Sequence, residues 1–225
     1  MIGRVTAMAA LGALLASGAW AQDHRLEISG NGAWTFSDGV SSAGGPVLGG
    51  DGNLYDRIDP KDSFSWGLTI GYYLNENSEL EFIYSQQQST LQASGTATTD
   101  IADFSIKNYH GVYSYNFGET DAVARPYISI GAGATSYPGL TFTRLNGDTA
   151  EIGGNTQFSG TLGLGVKVYP GSGKAGLRLG ARWTPTYIKS DSDGYWCDPY
   201  WGCYVVGDPQ YSNQFEFTGG ITLRF

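Results

Sequence analysis

Gln214-Phe215-Glu216-Phe217-Thr218-Gly219-Gly220-Ile221-Thr222-Leu223-Arg224-Phe225 decides the fold. Phe215, Phe217, Ile221, Leu223 and Phe225 hold the odd positions, and Glu216, Thr218, Thr222 and Arg224 the even ones. Alternation with a period of two residues is a β-strand with one apolar and one polar face. In a soluble sandwich the polar face would meet water; in a membrane barrel it would line the interior. The rest of the chain has to choose between them.

The same alternation recurs upstream. Lys174–Ile188 sets Leu177, Leu179, Ala181 and Trp183 against Arg178, Gly180, Arg182 and Thr184, and a preceding strand sets Leu162, Leu164, Val166 and Val168 against Thr161, Gly163, Gly165 and Lys167. Pro170-Gly171-Ser172-Gly173 between them is a tight turn. Arg125–Ala134 is a fifth strand, with Pro126 among its first residues, where proline is tolerated. Asp103–Phe117 is a fourth, less regular one. Phe104 and Ile106 are even whereas Tyr109, Tyr113, Tyr115 and Phe117 are odd, which predicts a bulge near Lys107 or Asn108. Glu79 to Gln87, Ser63–Leu74 and the stretch from Arg25 to Phe36 complete eight strands. The connections alternate: 37–62, 88–102, 137–155 and 189–212 are long and polar, while 75–78, 118–124 and 170–173 are short.

Composition supports the count. Gly 34, Tyr 15, Phe 10 and Trp 6, with 15% charged residues, describe glycine-punctuated, aromatic-rich strands. After the N-terminus, the chain has no run of roughly 18 apolar residues, which excludes a helical membrane protein. The net charge of -8 argues against a nucleic-acid partner. At the N-terminus Arg4, the weakly apolar Ala7–Leu15 and Ala19-Trp20-Ala21 read as a signal peptide, residues 1–21, leaving one domain over 22–225. Export permits oxidation of the only two cysteines, Cys197 and Cys203, and a disulfide between them is expected.

An even number of strands, short turns at one end and long loops at the other match outer-membrane barrels. A lipocalin-like barrel has the same strand number but carries its apolar residues inside. Here one face collects Trp34, Trp66, Phe82, Tyr84, Trp183, Phe215 and Phe225, too bulky for a narrow interior. The opposite face collects Gly67, Gly71, Gly131, Gly133, Gly163, Gly165, Gly180 and Gly220, which suits a core filled by a few long polar side chains. The expected fold is an all-β, eight-stranded, antiparallel, up-and-down transmembrane β-barrel.

Eight amphipathic strands, Arg125-Pro126-Tyr127 followed by Gly131-Ala132-Gly133, and a last strand ending in Phe225 resemble the family of small outer-membrane barrels that includes the OmpA barrel and OmpX, a porin-family outer-membrane β-barrel domain. The resemblance covers the whole mature chain and is to the barrel alone, without OmpA's peptidoglycan-binding domain. It implies location in the cell outer membrane, contact with outer-membrane lipid and lipopolysaccharide, and Phe225 as the assembly signal read by periplasmic chaperones and the barrel assembly machinery.

Within such a barrel, Glu27, Glu81 and Glu216 share the lumen with Lys167, Arg178 and Arg182, and the cost of burying any of them unpaired predicts an ion-pair network. Its expected role is a plugged core rather than a narrow pore for ions or small amphipathic solutes. Barrel enzymes exist, lipid A-modifying ones among them, but His24 and His110 are the only imidazoles. Ser114 on the face of His110 lies roughly 13 Å along the strand, beyond reach of a nucleophile–base contact. Glu81 on the neighbouring strand is a candidate neighbour for His110. No catalytic residue is expected. Gly131-Ala132-Gly133 and Gly163-Leu164-Gly165 lead into no helix and so bind no nucleotide, and Asp51, Asp56, Asp59, Asp62, Asp191 and Asp193 lack repeated ligand spacing. Neither cofactor nor metal is expected. Trp196, Tyr200, Trp201 and Tyr204 surround the cysteines and form a candidate binding tip, since rigid aromatics offer large contact area at low entropic cost. The expected function is non-enzymatic: envelope structure or adhesin-like surface interaction through the long loops.

Overall fold

The computed structural model describes residues 25–41, 46–48, 52–137, 139–143, 149–152, 154–170, 174–188, 196–198, 202–204 and 210–225. The stretch 1–21 read as a signal peptide lies outside them, as do Tyr200 and Trp201.

Eight strands form the wall: β1 (Leu26–Ser37), β2 (Ser63–Tyr73), β3 (Ser78–Gly95), β4 (Thr98–Asn116), β5 (Ala124–Tyr137), β6 (Asn155–Val168), β7 (Ala175–Ile188) and β8 (Gln210–Arg224). Each pairs antiparallel with the next, and β8 returns to β1 over Glu27↔Arg224 through Ser37↔Gln214. Leu26 and Phe225 exchange both backbone hydrogen bonds at 3.2 and 2.8 Å, so the seam is sealed to the last residue. The result is a closed up-and-down barrel, which leaves no edge in the membrane.

The facing follows the alternation. On β8, Phe215, Phe217, Ile221, Leu223 and Phe225 point out, whereas Gln214, Glu216, Thr222 and Arg224 are buried inside. Phe217 is 62% exposed and Glu216 is 2% exposed, side by side on one strand, and that inversion identifies the polar side as the interior. Trp34, Trp66, Phe82 and Trp183 lie on the outer face with them.

Two expectations for β3 and β4 are corrected. The polar stretch 88–102 is not a loop. The two strands continue through it to Gly95 and from Thr98, so the hairpin projects beyond the barrel. Strand Leu54–Pro60 pairs with its Leu91–Gly95 part, and Val40–Ser41 and Val47–Leu48 pair with Leu54–Pro60. The irregularity in β4 lies at Leu91/Gln92 opposite Ala102 and Asp100, which makes Ile101 the extra residue, rather than near Lys107 or Asn108. Phe104 and Ile106 share the inward face with Asn108, His110 and Ser114. They are apolar because they join Ile58 and Leu91 in a small core above the polar lumen, with Tyr137 stacked on Phe104 at 5.9 Å.

Candidate functional site

The lumen is built in layers, because each inward position of a strand sits beside its register partner. At the short-turn end lies the densest charge. Lys167 on β6 reaches Glu27 on β1 at 2.8 Å, Glu79 on β3 at 2.6 Å and Glu81 at 3.6 Å, all fully enclosed. One ammonium thereby links opposite walls. Arg178 on β7 forms a bidentate pair with Glu81, two bonds of 2.9 Å, the geometry in which a guanidinium is best matched to a carboxylate. Arg224 donates to Glu27 at 3.4 Å and lies 3.4 Å above the Tyr169 ring. Tyr73 and Tyr169 donate their hydroxyls to Glu27 Oε2 at 2.9 and 2.6 Å.

Glycines in the wall make this layer possible. A Cβ at Gly165 would stand 2.7–2.8 Å from the Tyr127 ring and hydroxyl, and one at Gly176 would stand 2.6–2.9 Å from the Tyr169 ring. Removing side chains from one wall leaves room for tyrosines from another. Tyr127 in turn accepts a hydrogen bond from Arg178 Nε at 3.1 Å and stacks against its guanidinium.

Higher up, Arg182 on β7 pairs with Glu216 on β8, Nε to Oε2 at 2.6 Å, and also donates to Ser85 at 2.9 Å. Between the two charged levels is a cavity of about 40 Å³ touched by Asn31, Thr69, Ser129, Arg178, Arg182 and Glu216. That is room for roughly two to four waters. Above this, the side chains are neutral: Asn108 donates to Gln214 at 3.0 Å, Gln214 donates to Gln87 at 3.0 Å, and Thr135 donates to Asn108 at 2.7 Å. The apolar core described above forms the uppermost level.

All six residues singled out for the lumen, Glu27, Glu81, Lys167, Arg178, Arg182 and Glu216, lie inside and are brought into contact as described. Glu79, Arg224, Tyr73, Tyr127 and Tyr169 also take part and were missed. Glu79 and Arg224 already stood on the polar face of their strands, so the alternation that selected Glu81 and Glu216 was sufficient to find them. The tyrosines carry no such signal, since tyrosine also appears on the lipid face at Tyr109, Tyr113 and Tyr115.

The proposed approach of Glu81 to His110 is corrected by the register. Ile83 stands opposite His110, Glu81 stands opposite Val112, and the Glu81 carboxylate is taken up by Arg178. His110 instead meets Ser159 on β6, Nε2 to Oγ at 2.9 Å, and the Thr135 hydroxyl oxygen lies 3.0 Å from the same Ser159 oxygen. The distance is that of a nucleophile–base contact. Both residues are 0% exposed within the lumen, so a substrate would have to enter the barrel to reach them.

At the long-loop end, Trp196–Asp198 and Gly202–Tyr204 form a small antiparallel hairpin in which Cys197 stands opposite Cys203 and Trp196 opposite Tyr204. Phe225 closes the barrel at the other end and faces outward.

No family model matches the chain, and no curated protein is similar to it in sequence. Among solved structures it is similar to the outer-membrane protein OprG of Pseudomonas aeruginosa, with a TM-score of 0.55 and 14% identity over 91% of this chain and 97% of that one. It is also similar to Neisserial surface protein A, with a TM-score of 0.53 and 14% identity over 89% of this chain and 97% of that one. The protein therefore has the fold of the small eight-stranded outer-membrane barrels.

Proposed function

We propose that this protein is a non-enzymatic component of the bacterial outer membrane, exported by the N-terminal signal peptide, whose barrel is a closed anchor and whose work is surface interaction through the long-loop end. The observation that carries this is the bracing of the lumen: Lys167 and Arg178 tie β6 and β7 to carboxylates on β1 and β3 across the interior. An eight-stranded barrel is just wide enough for its own side chains, and a network of this kind leaves isolated waters rather than a path. The lipid face and its aromatics would sit in outer-membrane lipid and lipopolysaccharide.

The fourth long loop is the candidate tip. Directly opposed residues of an antiparallel pair have Cα atoms at a separation suited to a disulfide, so Cys197 and Cys203 would be joined. That would hold Trp196, Tyr200, Trp201 and Tyr204 on a short rigid loop. Phe225 would serve as the signal for periplasmic chaperones and the assembly machinery.

Single-channel recording in planar bilayers tests the anchor reading. The expected result is no stable conductance at neutral pH, and a reproducible open level would replace it with a narrow pore. A shift in lipid A mass in cells overproducing the protein would instead make it a lipid-modifying enzyme through His110 and Ser159 or another group.

A further inference from the structure

On the outer face of the wall, the register of β3 to β6 sets outward side chains into rows that cross the four strands. The uppermost is Gln86–Lys107–Ser136–Thr156, and the next is Tyr84–Tyr109–Ala134–Phe158. Below them come Phe82–Gly111–Ala132–Gly160 and then Leu80–Tyr113–Ile130–Leu162. In the second and third rows the bulk fails at the centre. Ala134, Gly111, Ala132 and Gly160 form the floor of a recess, with Tyr109 and Phe158 on its flanks and Ile130 closing it below. The flanks stand two strand spacings apart, about 10 Å, which leaves room for a single hydrocarbon chain.

The recess is open toward lipid. A Cβ at Gly111 would meet only the Ala132 carbonyl oxygen at 4.0 Å, and one at Gly160 only Pro185 Cγ at 3.8 Å and the Gly131 carbonyl oxygen at 4.0 Å. The Tyr109 ring packs away from it against Tyr84, with centroids 5.2 Å apart. Around β7 and β8 the corresponding surface is filled instead, by Trp183 stacked on Phe215 at 6.1 Å and Tyr187 against Tyr211 at 5.6 Å. The gap in the aromatic belt is therefore local.

Directly above the gap the surface turns polar. Thr156 donates to Ser136 at 3.2 Å, and the Tyr84 hydroxyl donates to Gln86 at 2.9 Å. Lys107 is partly exposed, and in these rows and below them no other outward residue of the four strands is charged. Ten residues separate Lys107 from Phe117 at the short-turn end. That is roughly 33 Å along the strand and, at the usual tilt, roughly 25 Å of height, so the ammonium stands where the apolar band ends and headgroups begin.

We propose that the recess and the row above it bind one molecule of a phosphorylated glycolipid of the outer leaflet, the lipid anchor of lipopolysaccharide. One acyl chain lies over Ala132 and Ala134 between Tyr109 and Phe158, a phosphate meets Lys107, and sugar hydroxyls meet Gln86, Ser136 and Thr156. This rests on the outer-membrane location proposed above and gives its lipid contact a fixed place. Shape carries the chain, since moving it from other lipid into the recess removes no apolar surface from water and gains only close packing.

Native mass spectrometry of the folded full-length protein, released from detergent with added bisphosphorylated lipid A, reads the stoichiometry and half-saturation directly. One lipid A per barrel should bind ahead of any others. Lys107→Gln, or lipid A stripped of its phosphates, should weaken this roughly fivefold, the effect of one cation at an anionic surface. Gly111→Leu and Gly160→Leu fill the recess from its floor and should each weaken it by a similar factor, roughly fivefold. Gly30→Leu is the matched control, because Gly30 is an outward glycine on β1 with nothing within 4 Å of its Cβ position, and it should leave binding unchanged. All four proteins should keep heat-dependent migration on gels. Equal loss in Gly30→Leu and Gly160→Leu would show an unspecific lipid shell and overturn the proposal. So would several lipids bound with equal strength, or phosphatidylglycerol bound as well as lipid A. Cell fractionation tests the location separately: a barrel found in the outer membrane that binds no lipid A overturns the site alone.

Discussion

Arg182 and Glu216 are register partners on the adjacent strands β7 and β8, and their side chains meet inside the barrel with Nε 2.6 Å from Oε2. The charge on β8 is tolerated in the membrane because β7 delivers the opposite charge at the same height. Removing one partner leaves the other buried without compensation. Glu216→Gln is expected to cost about 3 kcal/mol in unfolding free energy, and Arg182→Met/Glu216→Leu together considerably less. Urea titration of the barrel in lipid vesicles measures both, and equal losses for the single and double variants would contradict the pairing.

Lys167 is a sharper case, since Glu27 and Glu79 both lie within 2.8 Å of its ammonium. Lys167→Met would leave three neighbouring carboxylates with Arg178 and Arg224 as their remaining cations. We expect it to prevent stable folding, or to reduce stability by more than about 3 kcal/mol. Adding Glu79→Gln should restore part of the loss, and a double-mutant cycle measures the coupling. A coupling near zero would show that the two groups act independently.

How much of this was legible in the sequence depends on what a strand faces. Where lipid lies on one side and the lumen on the other, residues such as Phe217 and Glu216 write the alternation plainly, and all eight strands and their facing could be read. Beyond the membrane that contrast disappears. Gln88, Thr90 and Gln92 extend β3 with polar side chains on the outside because water is there, so the sequence looks like a loop while the backbone remains a strand. Phe104 and Ile106 mislead in the opposite sense, being apolar on the inward face because a local core covers the lumen. The meeting of His110 with Ser159 depends on side-chain reach across Gly133, which lies between them in the register on β5, and alternation along any one strand carries no information about it.

Asp100 offers a titration outside the membrane. Lys61 donates to it at 2.8 Å and Gln92 at 2.7 Å, and these bonds hold its carboxyl below the ordinary 3.8. For a carboxyl with a depressed folded value, the stabilisation is present above the unfolded value and is lost as pH falls through the folded one. The group is exposed, so the contribution to stability is small. NMR titration should place the Asp100 midpoint below 3.8, and Lys61→Gln should move it up. A midpoint that ignores this substitution would refute the contact.

For the fourth loop, thiol alkylation of the unreduced protein should label neither Cys197 nor Cys203, and reduction should expose both. Cys197→Ser with Cys203→Ser should leave the barrel's urea midpoint unchanged, because a loop this short gains roughly 2–3 kcal/mol of local restriction that the wall does not share. Labelling without reduction would rule the bridge out.

Phe225 has two separable roles. In the folded barrel its backbone exchanges two hydrogen bonds with Leu26, and its ring lies on the lipid face at 62% exposure. Phe225→Ala keeps the backbone bonds and removes only the ring. A ring half in contact with lipid contributes about 1–2 kcal/mol to the finished barrel. If the ring is also what the assembly machinery reads, insertion into proteoliposomes that contain that machinery should slow far more than unassisted folding into thin synthetic vesicles. Measuring both rates for the same variant separates recognition from stability. Equal slowing in the two systems would assign Phe225 to the barrel alone.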